Sequence, residues 1–247
     1  MTTPNPAPNV AVVTGGSTGI GWEICRQMLD AGYEVVSLAR RKPPQSPPKL
    51  HAVEVDLMDA TATGQAAADV ASRFAVTHVV HNAGVVRPAL LPDVELDDLR
   101  ALSQLHLGAA IALVQSTLPA MKKNRFGRIV LMSSRGALGL ATRTAYAATK
   151  AGMVGMARTW ALELAPHGIT VNVVAPGPIA DTEMFESVMS PDSERAKKLA
   201  QSIPLGRLGN SDDVARAVSF FSSPDADFIT GQTLYVCGGA SIGSISI

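Results

Sequence analysis

The sequence predicts an α/β protein built on one doubly wound parallel sheet, and two observations carry that prediction. Short apolar runs alternate with helical patterns along most of the 247 residues, which implies right-handed strand–helix–strand crossovers and strands covered on both faces. A glycine-rich stretch, TGGSTGIG at 14–21, closes the first apolar run and opens the first helical pattern. There the glycines let backbone approach a ligand, and the helix offers unpaired amides to an anion.

VAVVT at 10–14 is an apolar run of strand length, and 19–31 reads as the helix after it. EVVSLA (34–39) gives a second strand and HAVEV (51–55) a weaker third. Between them lies RRKPPQSPPK, with four prolines where a crossover helix would run. Proline lacks the amide hydrogen and disfavours helix before itself, so this crossover is expected to be extended and exposed, with the sheet thinly covered there. A helix over 60–73, the strand THVVHN (77–82) and a long helical stretch over 95–122 follow. Then come a strand at 128–133, a helix through AYAATKAGMVGMARTWALELA to about 165, and the strand ITVNVVA at 169–175. Helices near 192–201 and 211–223 precede the last strand, TLYVC at 233–237. No repeat or linker divides the chain, so 10–247 reads as one domain behind a frayed tail, MTTPNPAPN at 1–9.

Hydrophobic residues make up 47% and charged ones 17%, which suits a buried core. Lys+Arg and Asp+Glu both number 21, so no general affinity for nucleic acid or an anionic membrane is expected. No apolar run reaches membrane-spanning length, and the N-terminus lacks the features of a signal peptide. Cys25 and Cys237 have neither metal-ligand spacing nor a disulfide framework. The expectation is a reduced, cytoplasmic protein without a metal.

The chemistry concentrates in SSRGALGLATRTAYAATK at 133–150. Tyr146 and Lys150 stand at i and i+4, on one helix face. A free tyrosine titrates near pH 10, and a nearby ammonium favours its phenolate and brings it closer to a working range. Ser133, thirteen residues before Tyr146 and at a strand end, has a hydroxyl that can donate to a carbonyl oxygen or accept from an alcohol. The set suits moving a proton on and off a C–O group.

TGGSTGIG, HNAG at 81–84, Ser133 with Tyr146 and Lys150, and PGPI at 176–179 together resemble the short-chain dehydrogenase/reductase family, in order and separation, over Val10 to Gly239. The resemblance implies a Rossmann-like sheet in the order 3-2-1-4-5-6-7, a nicotinamide cofactor at the C-terminal strand edge, and a homotetramer (or dimer) contacting through the last strand and long helices. It assigns Tyr146 as acid/base and Ser133 as the group orienting the substrate oxygen. Lys150 would hold the nicotinamide ribose and lower the tyrosine pKa. Ser134 is the neighbour open to confusion with Ser133; spacing and Gly136 favour Ser133, leaving Ser134 as a strand-end cap.

The resemblance also places Gly15, Ser17, Thr18, Gly19, Ile20 and Gly21 on the cofactor phosphates, Asp56 and Leu57 at the adenine edge, and Asn82, Ala83 and Gly84 along the cofactor. Pro176, Gly177 and Ile179 would reach the carboxamide, with Thr182 arriving one residue late in PGPIADTEMF. Ala39 stands where NAD-dependent relatives carry aspartate, and Arg40 and Arg41 follow, so NADP(H) is expected over NAD(H). His106, in Q-L-H-L-G, replaces an asparagine that helps hold a water linking the lysine to solvent. Both a relay role and a plain helix histidine stand open for it. Arg87, Arg135 and Arg143 border the cleft and could meet a substrate carboxylate or simply stay solvated. Residues 178–203, with Met184, Phe185, Val188 and Met189, are expected to form a mobile lid setting substrate choice.

The resulting expectation is an NADP(H)-dependent oxidoreductase interconverting a ketone or aldehyde and an alcohol. A 3-oxoacyl thioester reductase ranks second, since no clear basic landing site for an acyl carrier is evident. A dinucleotide-binding sensor without turnover is the alternative from another class.

Overall fold

The computed structural model describes residues 9–243. The expected tail therefore lies, Asn9 apart, outside the described residues, as do positions 244–247. Seven strands form one sheet: β1 Val10–Thr14, β2 Glu34–Ala39, β3 Leu50–Glu54, β4 His78–His81, β5 Gly127–Met132, β6 Ile169–Pro176 and β7 Thr233–Val236. Their order is β3-β2-β1-β4-β5-β6-β7, every pair parallel, as expected. Strands β1, β4, β5 and β6 are buried at every position because helices cover both faces; of their polar side chains, His78, His81, Arg128 and Asn172 bond to backbone carbonyls.

On one face pack α2 (Ala60–Arg73), α4 (Ala109–Asn124) and α5 (Thr144–Leu164), closing a core of Val36, Val70, Leu113, Ile129, Met153 and Val171. On the other, α1 (Gly19–Asp30) and α8 (Ser211–Ser222) enclose Val13, Ile24, Met28, Val80, Val214 and Phe221. The proline-rich crossover carries no helix, and β3 beside it is the least buried of the first six strands, at the sheet edge.

The long stretch before β5 departs from a straight helix. Helix α3 (Leu96–Ser103) passes into a π turn at Gln104–Gly108 before α4 begins. A Cβ on Gly108 would sit 2.5 Å from Gln104 Oε1, so glycine suits this turn. Leu96–Asn124 as a whole has the length and composition of a membrane span, but Leu102, Leu113 and Met121 are packed into the protein. Past β6, the segment expected as a lid forms two helices, α6 (Glu183–Glu186) and α7 (Glu194–Ser202). Its first helix, only four residues long, was not expected from the sequence.

Order reverses between β1 and β4: connections run outward in opposite directions from this pair, which leaves a crevice at their C-terminal ends. TGGSTGIG and HNAG leave the sheet at that crevice.

Candidate active site

The glycine-rich turn is held by what its neighbours leave no room for. Gly15 and Gly19 adopt φ of 67° and 51°, the left-handed region that side chains resist. At Gly21 a Cβ would lie 2.0 Å from the Gly15 carbonyl oxygen, so this turn excludes any other residue. Thr18 precedes α1 without a side-chain capping bond, and the first turn of α1 holds no carboxylate. Its amides are thus open to an anion.

Thr14 ties the parallel segment to this turn. Its buried hydroxyl accepts from the Asn82 and Ala83 amides, both at 2.9 Å, and can donate only to His81 Nδ1 at 3.1 Å. His81 must then carry its proton on Nε2, donating to the Leu105 carbonyl at 3.0 Å. Burial and the nearby Lys150 push this imidazole down to about 3, so it stays neutral.

A groove of about 360 Å³ runs along these ends. It gathers Gly15, Ser17, Thr18, Gly19, Ile20, Gly21, Arg40, Arg41, Asp56, Leu57, Asn82, Ala83, Gly84 and Thr182. The residues fit a dinucleotide: open helix amides at a glycine turn, and at the far wall Arg40 and Arg41 after Ala39, with the Glu183 carboxylate beside them paired to Arg41. Arg40 is exposed and without a carboxylate partner among the described residues, whereas Arg41 is held by Glu183 through bonds of 2.7 and 2.9 Å. Thr182, though one residue late, reaches the junction: its methyl lies 3.2 Å from where a Gly19 Cβ would start, while its hydroxyl donates to Ile179 and caps α6.

The groove opens into a cleft of about 730 Å³ that contains Ser133, Ser134, Tyr146, Lys150, Pro176, Gly177 and Ile179. Tyr146 lies in the first turn of α5, 7% exposed, and Lys150 one turn on, 2% exposed. Lys150 Nζ donates to the Met132 carbonyl at 2.7 Å and sits over the Tyr146 ring, 5.7 Å from its centroid. Burial alone brings this ammonium down to about 7.

The Tyr146 phenol differs from expectation. Burial raises its pKa, and the opposing influences are the Ser134 hydroxyl and the Arg143 guanidinium rather than Lys150, whose head is drawn to Met132. The two serines also part company. Ser133 donates its one proton to the Lys150 carbonyl at 2.7 Å, fastening β5 to α5, and is 2% exposed. Ser134 is half-buried, accepts from the Gly136 amide at 2.9 Å, and is the serine whose hydroxyl works against the rise in the phenol pKa. Gly136 fits here because a Cβ would come within 3.2 Å of Ser134 Oγ and 3.3 Å of the Tyr146 ring.

His106 is drawn inward by the π turn and fully buried. Thr149 Oγ1 spends its proton on the Ala145 or Tyr146 carbonyl, so it accepts from His106 Nδ1 at 2.8 Å. The lone pair on Nε2 is left without a partner among the described residues. A Cβ at Gly84 would lie 3.1 Å from that nitrogen and 3.3 Å from Lys150 Nζ, so both face one small space. Burial first, then Lys150, drives the His106 pKa far down, and the ring is a neutral acceptor.

Of the cleft arginines named from sequence, Arg87 is paired with Asp98 and does not line the cleft, whereas Arg135 and Arg143 do. Arg195 and Lys198, which sequence reasoning did not single out, join them from α7. Among the described residues there is no metal-holding cluster, and both cysteines are free and buried.

A family profile described as Enoyl-(Acyl carrier protein) reductase matches residues 15–241. The chain is 35% identical over 238 residues to the 3-oxoacyl-(acyl-carrier-protein) reductase FabG of Salmonella typhimurium, covering 93% of this chain and 96% of that one. A blue fluorescent protein from a metagenomic library, solved in complex with NADPH, superposes with a TM-score of 0.82 at 32% identity, over 94% of this chain and 97% of the other. The ligand-free aldohexose dehydrogenase of Thermoplasma acidophilum superposes with a TM-score of 0.88 at 27% identity, over 97% of each.

Proposed function

Because the chain belongs to the short-chain dehydrogenase/reductase family, we propose that it is an NADP(H)-dependent oxidoreductase interconverting a ketone or aldehyde and an alcohol. The observation that carries this reading is the convergence of the Tyr146 phenol, the Ser134 hydroxyl and the Lys150 ammonium in a cleft continuous with the glycine-rich groove. Bound in that groove, the cofactor supplies or takes the hydride.

The protein's own residues handle the oxygen. Ser134 donates to the carbonyl oxygen, and Tyr146 donates beside it. As negative charge grows on that oxygen the phenol gives up its proton, and the C–O group leaves as an alcohol. Arg143 and Ser134 favour the phenolate so formed. A donor aimed at a developing oxyanion is worth about 10²–10³ in rate, and positioning adds more. Ser133, its proton committed to Lys150, serves instead to hold α5 in register. Lys150, with its remaining protons free of strong partners, is placed to hold a ribose.

Arg40 and Arg41, with Ala39 before them, support NADP(H), as does the NADPH held by the metagenomic neighbour. Reduction of a 3-oxoacyl thioester is the second reading, favoured by the 35% identity to FabG. We place the protein in the cytoplasm and read it as a homotetramer, the assembly alone being supported by the exposed Leu162 on α5 and Leu234 on β7. Titration with NADPH and NADH side by side, followed by a carbonyl panel, tests the proposal. Tighter NADPH binding and turnover of a panel member support it; preference for NADH, or binding without any turnover, refutes it.

A further inference from the structure

This inference rests on the oxidoreductase reading and narrows its substrate. The cleft beside Tyr146 has a one-sided chemistry. Leu140, Met184, Phe185 and Val188 give it an apolar wall. Its charged side chains are all cations: Arg135, Arg143, Lys150, Arg195 and Lys198, with no aspartate or glutamate among the lining residues. The chain as a whole balances 21 acidic against 21 basic residues, so this local excess is not a reflection of composition. Elsewhere arginines find carboxylates, as Arg26, Arg73, Arg100, Arg207 and Arg216 do. Among the described residues, none of the four cleft cations other than Lys150 has one within 4.0 Å.

Arg143 is the best placed of them. It is half-buried, immediately before α5, and close enough to Tyr146 to favour the phenolate. Among the described residues its guanidinium bonds only to Thr142, at 2.6 Å to the hydroxyl and 3.3 Å to the carbonyl, and neither neutralises its charge. Thr142 is held at φ of 65°, a conformation a β-branched residue resists, by the Ala89 amide donating to its carbonyl at 3.0 Å. A strained turn thus presents to the reaction cleft a half-buried guanidinium that has no carboxylate partner among the described residues and can pair with an anion.

We propose that the substrate carries an oxyanion, a carboxylate or a phosphate, on the same molecule as its reacting carbon, and that Arg143 pairs with it. The planar guanidinium suits two-point contact with either group. Arg195 and Lys198 on α7 add positive charge to the same cleft.

The test is a titration of the whole protein, with and without NADPH, by octanoate, octyl phosphate and neutral octanamide, read by thermal shift and by nicotinamide fluorescence. The proposal expects at least one anion to bind about tenfold or more tighter than octanamide, the tighter anion naming the group. Arg143→Gln should abolish that preference while NADPH affinity is kept, and Arg143→Lys should restore part of it. Equal affinity for charged and neutral probes overturns the proposal, as does a preference that survives Arg143→Gln. Should Arg143→Gln fail to fold, Arg195→Gln with Lys198→Gln on exposed α7 must at least weaken the preference; no change would overturn the wider cationic reading. Absence of NADPH binding would instead sink the oxidoreductase reading, and the thermal-shift arm reports the anion preference regardless.

Discussion

Replacing each of the adjacent serines by alanine should separate chemistry from architecture. Ser134→Ala removes a donor aimed at the reacting oxygen, which costs about 10²–10³ in kcat, or about 2.7–4 kcal/mol of transition-state stabilisation. Its loss of the bond from the Gly136 amide is a smaller matter, about 0.5–1 kcal/mol of stability at a short turn. Ser133→Ala removes the buried 2.7 Å bond to the Lys150 carbonyl. That oxygen still accepts within α5, so the loss is about 0.5–1.5 kcal/mol of stability. In a domain of this size it amounts to a fall in Tm of roughly 1–6 °C. The assay is NADPH consumption with a turned-over carbonyl substrate, alongside thermal unfolding of each variant. A collapse of kcat in Ser133→Ala with near-normal turnover in Ser134→Ala would refute the assignment made from the hydroxyl directions.

Arg40→Ala should weaken NADPH binding about 10- to 100-fold while leaving NADH nearly unchanged, as measured by fluorescence titration; equal losses for both would deny a 2′-phosphate contact. His106→Ala should lower kcat by at least about tenfold, with NADPH Kd kept, and alter the pH–rate profile, because the Nε2 lone pair facing Lys150 is lost; an unchanged profile would return His106 to a space-filling role. Stability should fall in acid. His78 and His81 titrate at about 4 and 3 when folded, against 6.5 unfolded, and His106 is also shifted down. Below pH 6.5 the unfolded chain takes up protons that the folded one refuses, so each contributes a loss of up to about 1.4 kcal/mol per pH unit until its folded value is reached. Denaturant unfolding between pH 7 and 4 should show that decline, and His78→Phe or His81→Phe should reduce its slope.

Much of the fold was legible because parallel strands covered on both faces are mostly apolar, with buried polar side chains such as His78 and Asn172 bonded inside. VAVVT and ITVNVVA read as strands for that reason, and both are fully buried. At the edge the signal weakens: β3 begins at Leu50 rather than His51, where half-exposure mixes polar and apolar residues. Helix α6 escaped because four residues cannot display a helical period. The π turn escaped because a continuous helical pattern does not reveal one wide turn, and that turn is what buries His106. In the site, motif spacing picked out Tyr146 and Lys150, which line the cleft, and the glycine turn, Asp56 and Asn82 to Gly84 along the groove, but not Leu38, Val55, Met58, Val85 or Glu183 beside them. It favoured Ser133 over Ser134, but a thirteen-residue separation says nothing about which hydroxyl a strand end turns toward the phenol. Nor could it find Arg195 and Lys198, which are distant in sequence and meet the cleft only through the packing of α7.

The central claim is that Tyr146 moves the proton while NADP(H) moves the hydride. It is tested most directly by comparing Tyr146→Phe with the unaltered protein on the best carbonyl substrate from the panel. Steady-state NADPH consumption and the NADPH Kd would be measured together. The account predicts a loss of kcat of about 10²–10⁴, the usual worth of a positioned general acid, with the Kd unchanged. Turnover by Tyr146→Phe within a few-fold of the unaltered protein would contradict it.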